Sequence, residues 1–228
     1  MIRKAFVRNI RLRVLPSLVV EVRASKGMSQ NQILQFLQSN EEWIDSAYTK
    51  MQKYRATLPK YSFVEGQAFL YLGQDFALSF ADVKSIELQN QKILCPKNIQ
   101  DNAEKIRMAI RDFYKQEAED ILFLRAFKIA KQMGIEPNRI RLKDLRSRWG
   151  SCSHDKKISL SWKLMGAPLS VIDYVIIHEY CHLVHMNHSI HFWKMVEDHC
   201  PNWKVQKKWL LKNAMKLDFL EKKSALNF

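Results

Sequence analysis

Val175-Ile176-Ile177-His178-Glu179-Tyr180-Cys181-His182 is the stretch that decides how this 228-residue chain is read. It is apolar apart from two histidines four residues apart and a glutamate after the first. On a helix, residues four apart share one face about one turn apart, so both imidazoles reach one ion. The carboxylate that follows the first histidine falls beside the water that such an ion activates. The surroundings make this H-E-x-x-H more than a chance match. Six of the seven histidines lie between His178 and His199, the seventh being His154. A carboxylate on an otherwise apolar helix also needs a partner.

A catalytic zinc takes three protein ligands and keeps a fourth position open. His178 and His182 supply two. His188 follows His182 after five residues, the spacing of the longer motif H-E-x-x-H-x-x-G-x-x-H. His185 stands where that motif has glycine, so the turn is expected to shift to Asn187, which tolerates left-handed backbone. His185, His191 and Glu197 are the other candidates for the third ligand. The set implies one Zn2+ as cofactor, with Glu179 taking a proton from water and passing it to the leaving amine.

Hydrophobic residues make up 47% of the chain, enough for a core of ordinary size. No run reaches the roughly 18 apolar residues of a membrane span. The start, Met1-Ile2-Arg3-Lys4-Ala5-Phe6-Val7-Arg8, is too charged for a signal peptide. Cys95, Cys152, Cys181 and Cys200 form no C-x-x-C pair, and without an export signal they read as reduced thiols in a cytoplasm. The net charge of +14 favours anionic partners such as nucleic acid or nucleotides, although no nucleic-acid-binding motif is present.

Patterning places β structure early and helix late. Residues 2–23 read as two strands around Pro16, and Ser29 caps a helix over about residues 30–54. Short strands follow around Phe69–Leu72, Phe76–Leu78, Ile86 and Ile93–Leu94, punctuated by Gly66 and Gly73. Ile106, Ile110, Phe113, Tyr114, Ile121 and Leu124 mark a helix from about Asp101 to Met133, stopped by Gly134. Arg139–Lys143 and Ile158–Trp162 alternate and read as an antiparallel pair joined by the loop Ser147 to Lys157. Ile158–Trp162 is the expected strand for binding an extended peptide by strand addition. Ser170 with Asp173 reads as a capping box for the motif helix, Ser189 caps the next helix, and a basic segment from Lys204 to Leu220 closes the chain. Residues 1–100 form a β-rich subdomain with one helix on this reading, and residues 101–228 the metal-binding catalytic domain.

These motifs resemble the YgjP-like metallopeptidases over most of the chain. The likeness is carried by Ser147-Arg148-Trp149-Gly150-Ser151-Cys152-Ser153, by Ile158-Ser159-Leu160-Ser161-Trp162, by Val171 through Leu183, and by Asn187-His188-Ser189 with Phe192-Trp193. Glu42-Trp43-Ile44 and the segment Gly66 to Leu72 belong to it too. The resemblance implies an α+β, zincin-like metallopeptidase domain with His178, His182 and His188 on zinc, Glu179 as catalytic carboxylate and a peptide or protein substrate. In the Arg148-Trp149-Gly150 stretch, Gly150 is expected to make a tight turn and Trp149 to pack beside the zinc helix, while Arg148 could hold a substrate carboxylate or phosphate. Two other functions fit the basic charge: a metal-dependent phosphohydrolase such as a nucleotide pyrophosphatase, and a nucleic-acid-associated protease akin to the related SprT-type proteins.

Overall fold

The computed structural model describes residues 2–5, 10–15, 17–56, 61–145, 148–214 and 216–217. The expected break at Pro16, the loop start at Ser147 and the end of the last segment at 218–220 lie outside them. The chain divides into two compact units, Met1–Lys60 and Tyr61–Phe228.

The first unit has strands β1 (Ile2–Ala5), β2 (Arg11–Val14) and β3 (Val20–Ser25), then helices α1 (Gln30–Gln38) and α2 (Glu41–Ala56). β3 is the middle strand, parallel to β1 and antiparallel to β2. Val22 and Ala24 alternate with exposed Arg23 and pack on Ile33 of α1. Ser29 caps α1 as expected, and the Gln32 side chain returns the bond to complete a capping box. The single helix expected over 30–54 is two. Asn40 breaks it by turning its side-chain amide back onto the Phe36 carbonyl, 2.8 Å away.

The second unit begins with β4 (Ala68–Tyr71), β5 (Gln74–Ala81), β6 (Glu87–Gln89) and β7 (Lys92–Pro96), in the order β4-β5-β7-β6. Both antiparallel hairpins turn on two residues of positive φ, Leu72-Gly73 and Asn90-Gln91, the geometry that matches strand twist. Phe69, Leu78, Ile93 and Cys95 of this sheet share one core with the motif helix, within the same compact unit.

Helix α3 (Ala103–Met133) crosses this core. Asn102 caps its start and Gly134, at φ 64°, its end. Its buried stripe runs Ile106, Ile110, Tyr114, Ala118, Leu122, Ala126, Ile129, the repeat of a helix packed along its whole length. Next come β8 (Arg139–Lys143), β9 (Gly150–Cys152) and β10 (Lys157–Ser161). β10 pairs parallel with β8 and antiparallel with β9. The expected antiparallel pair of β8 and β10 is therefore corrected. The connecting loop contains a third strand, β9 lies on the far side of β10, and the reversal is used between those two. β10 is central and buried, so it has no edge to offer a peptide; β9 has one.

Helix α4 (Leu169–Cys181) carries the motif and is followed by α5 (Ile190–His199) and α6 (Trp203–Asn213). α4 is buried nearly all round, with Val171, Ile172, Val175, Ile176, Ile177, Tyr180 and Cys181 in the core. The expected Ser170–Asp173 capping box does not form. Pro168 stands at the cap position, where a helix can start without a donor. Asp173 instead accepts both guanidinium donors of Arg125 on α3, and Ser170 donates to Gln206 on α6. Tyr180 donates to the Ala126 carbonyl at 2.9 Å, a second tie between α3 and α4. Among the described residues no helix is long and apolar enough to cross a membrane.

Gly73 fixes where α4 begins. At φ +81° it also faces Pro168 so closely that an added Cβ would lie 2.4 Å from Cγ. Leu72 N–H and Gly73 N–H donate to the Met165 and Gly166 carbonyls just upstream of the helix. Gly134 has a similar φ, yet an added Cβ would meet nothing within 4 Å. Gly134→Ala should therefore cost only the left-handed backbone penalty, about 1 kcal/mol. Gly73→Ala adds a clash and should cost about 2–4 kcal/mol. Urea unfolding of both variants is the check; equal losses would mean the Pro168 contact does not matter.

Candidate metal centre

The last turn of α4 projects His178 and His182 to one side. Past His182 the chain continues in helix-like turns: Leu183 N–H donates to the Tyr180 carbonyl, and those of Val184 and His185 to that of Cys181. Asn187 does not adopt positive φ, contrary to expectation. The reversal needs no left-handed residue there, which is why His185 can stand in the glycine position. Ser189 then caps α5 by accepting from Phe192 N–H. This short loop carries His188 back to the motif.

The rings of His178, His182 and His188 are mutually close, with centroids 4.9, 5.1 and 4.7 Å apart. One ligand atom from each lies within 4.8 Å of the others, the spacing at which three imidazoles can hold one metal ion. Phe192 is fully buried and touches all three rings, at 5.0, 4.5 and 4.7 Å. It serves as a common floor. Trp193 stacks on His188 at 5.5 Å and on Trp203 of α6 at 4.3 Å. His185 and His191 lie outside this group and stack on each other at 6.2 Å. Glu197 is not among the converging groups either.

The nitrogen chemistry fits a cation. The Nδ1–H of His182 donates to the His185 carbonyl at 3.1 Å, since a carbonyl only accepts. That bond leaves Nε2 with its lone pair free, as a metal ligand requires. His188 Nε2 and His178 Nε2 face each other at 3.2 Å, two basic atoms converging on one point. Burial pushes the His178 imidazole down to about 3, helped by His182, His188 and Lys207, and burial lowers His182 as well. Both rings are neutral, the form that binds metal. Burial pushes the thiols of Cys152 and Cys181 up to about 11 and 12. Neither thiol is among the converging ligand groups. All four cysteines are free.

Glu179 is 6% exposed. Burial pushes its carboxyl up to about 8, against the opposing pull of Arg148. It packs directly on Gly150 of β9. A Cβ added there would lie 2.6 Å from both Cγ and Oε1 of Glu179. Gly150 has no positive φ, so its expected role in a tight turn is corrected: it is a strand residue whose missing side chain is the seat for Glu179. Trp149 is partly buried against the core, in keeping with the packing role expected for it.

A cavity of about 480 Å³ opens over these groups. β9 and its approach line it with Arg148, Trp149, Gly150, Ser151 and Cys152. α4 adds Tyr174, Val175, His178 and Glu179, and α6 adds Lys207, Leu210 and Leu211. His182, Met186 and His188 complete the metal side. The sequence gives no sign that α6 walls this site. Its only local signal is an amphipathic pattern, which any packed helix shares.

A mixed α+β domain thus brings a histidine cluster beside the buried Glu179 of α4. The family description "YgjP-like, metallopeptidase domain" matches residues 8–213, and the chain belongs to that family. Peptides or proteins are the substrate class this membership carries. The chain is also similar to the crystal structure of the metallopeptidase zymogen of Pyrococcus abyssi abylysin. Identity is 20%, coverage 42% of this chain and 96% of that one, and the TM-score 0.39. A second similar structure is the metallopeptidase zymogen of Methanocaldococcus jannaschii jannalysin, at 20% identity, 40% and 96% coverage and a TM-score of 0.34. No curated protein matches the chain.

The seat under Glu179 yields a direct test. Gly150→Ala should leave the three histidines able to bind metal while displacing the carboxylate. Misplacement by about 1 Å is worth about a hundredfold in rate. Metal stoichiometry and peptide hydrolysis measured on one folded preparation decide it. Unchanged turnover would mean that Glu179 need not sit where it does.

Proposed function

We propose that this metallopeptidase is zinc-dependent, with His178, His182 and His188 holding one Zn2+ and Glu179 acting as general base. The observation that carries the proposal is the convergence of three imidazole nitrogens in one cavity with a buried carboxylate from the helix that carries His178. Three imidazole nitrogens with an open cavity beside them suit a catalytic zinc better than a closed structural one. The bound ion would polarise the scissile carbonyl and acidify a water.

The chain's own groups do the rest. Glu179 accepts a proton from the attacking water and delivers it to the departing amine. Its seat on Gly150 fixes the carboxylate without a covalent restraint. β9 lines the cavity and is an edge strand among the described residues, so an extended peptide can pair there, beside Ser151 and Cys152. Phe192 and Trp193 hold the histidines by contact, and a hydrogen bond to the His185 carbonyl orients His182.

Glu179→Gln should keep one zinc per chain and lower turnover by at least about a hundredfold, the usual size of a general-base effect. Metal analysis and hydrolysis rates on the same sample check this, and lost zinc would make Glu179 a ligand instead. Equilibrium zinc titration tests the ligand set. His188→Ala should lose tight binding, whereas His185→Ala and His191→Ala should retain it. Tight binding by His188→Ala would overturn the assignment.

A further inference from the structure

Two cations line the cavity. Arg148 leads into β9, and Lys207 lies on α6. Among the described residues neither has a carboxylate partner; the ion pairs of this unit join other residues, such as Arg125 with Asp173 and Lys163 with Asp144. Among the described residues Glu179 is the only carboxylate in the lining. Among the described residues, cations thus stand on two walls of the cavity, on the approach to β9 and on α6.

Lys207 is held in place. Its Nζ lies 5.0 Å from the ring centre of Trp193 and 5.6 Å from that of Trp203, two rings that stack on each other. Trp193 in turn stacks on His188. The ammonium thus sits one ring away from the histidine cluster, with less freedom than a lysine in open solvent. Arg148 is exposed, and its charge is felt at Glu179. A guanidinium in that position can take a carboxylate in two parallel hydrogen bonds. The bland alternative is that both charges only keep the surface wet. It does not explain why they border the same 480 Å³ cavity.

Beside the three histidines, Ser151 and Tyr174, the lining has an apolar part that includes Val175, Leu210 and Leu211. Met186 and Leu211 are 47% and 71% exposed, large side chains left in water at the cavity rim. Such groups are covered when an apolar side chain binds.

We propose that Arg148 and Lys207 select peptides that carry a carboxylate close to the scissile bond, with an apolar residue seated against Met186 and Leu211. The proposal rests on the metallopeptidase reading and names its substrate class. The carboxylate can be an Asp or Glu side chain or a free C-terminus, and both present the same chemistry to the two cations.

The test uses a matched set of peptides. Each acidic peptide is paired with its Gln or Asn counterpart, and each free C-terminus with its amide. Wild-type protein should prefer the carboxylate member by about tenfold in kcat/KM, mostly through KM, because the contact is made equally in ground and transition states. Arg148→Ala and Lys207→Ala should each reduce that ratio several-fold, Arg148→Lys should retain part of it, and Lys207→Glu should abolish it. The preference should shrink as salt rises. The same peptides are also titrated into zinc-loaded Glu179→Gln protein, which reports binding without turnover. If no peptide is cleaved, the peptidase reading fails while the titration still reads selection. Equal binding of acid and amide members, or a ratio untouched by the substitutions, overturns the proposal. So does tighter binding of inorganic phosphate or a nucleotide through the same two residues, which would assign the cations to a phosphorylated ligand. The pair in which amidation removes the preference distinguishes a C-terminal carboxylate from a side chain.

Discussion

The second unit depends on one conflict: α4 is a core helix, and its last turn must nevertheless present His178, Glu179 and His182 to a cavity. A helix buried on all sides gains stability from its apolar residues, and each polar group on it carries a desolvation cost. The surroundings resolve this locally. α3 covers the apolar face and anchors the helix through Arg125 with Asp173 and Tyr180 with the Ala126 carbonyl. β9 covers the glutamate with a glycine, so the carboxylate is shielded without being crowded. α5 brings Phe192 beneath all three imidazoles. What remains open is the single direction in which three nitrogen lone pairs converge.

That arrangement explains the unequal treatment of the histidines. His182 has its far nitrogen tied to a backbone carbonyl, which sets tautomer and orientation together. His178 has its Nδ1 buried with no hydrogen-bond partner among the described residues, so packing against Phe192 and Tyr174 orients it. His188 comes from a loop and is steadied by stacking on Trp193. The aromatic residues after the motif are thus part of the same device as the histidines.

Much of this was legible in the sequence because it is local. Spacing of four puts His178 and His182 on one face, and Gly134, Ser29 and Ser189 end or start helices through their own backbone and side-chain chemistry. The sequence interval from His182 to His188 also gave the convergence seen here, although the turn is made differently from the one expected at Asn187. The misreadings share a cause. Ser170 and Asp173 have the pattern of a cap, yet their side chains are claimed by Gln206 and Arg125, 36 and 48 residues away. Gly150 reads as a turn residue because its partner, Glu179, is distant in sequence. β8 and β10 read as neighbours in a hairpin because three residues of β9 are too short to show a period. Each of these is decided by a tertiary contact that no window of neighbouring residues contains.

The central claim is that one zinc is held by three imidazoles and leaves a position open toward Glu179. X-ray absorption at the zinc edge, on protein loaded with one equivalent, measures this coordination directly. Three imidazole nitrogens and one further light atom at about 2.0–2.1 Å are the predicted shell. A sulfur neighbour at about 2.3 Å, or a shell of only two imidazoles, would contradict it.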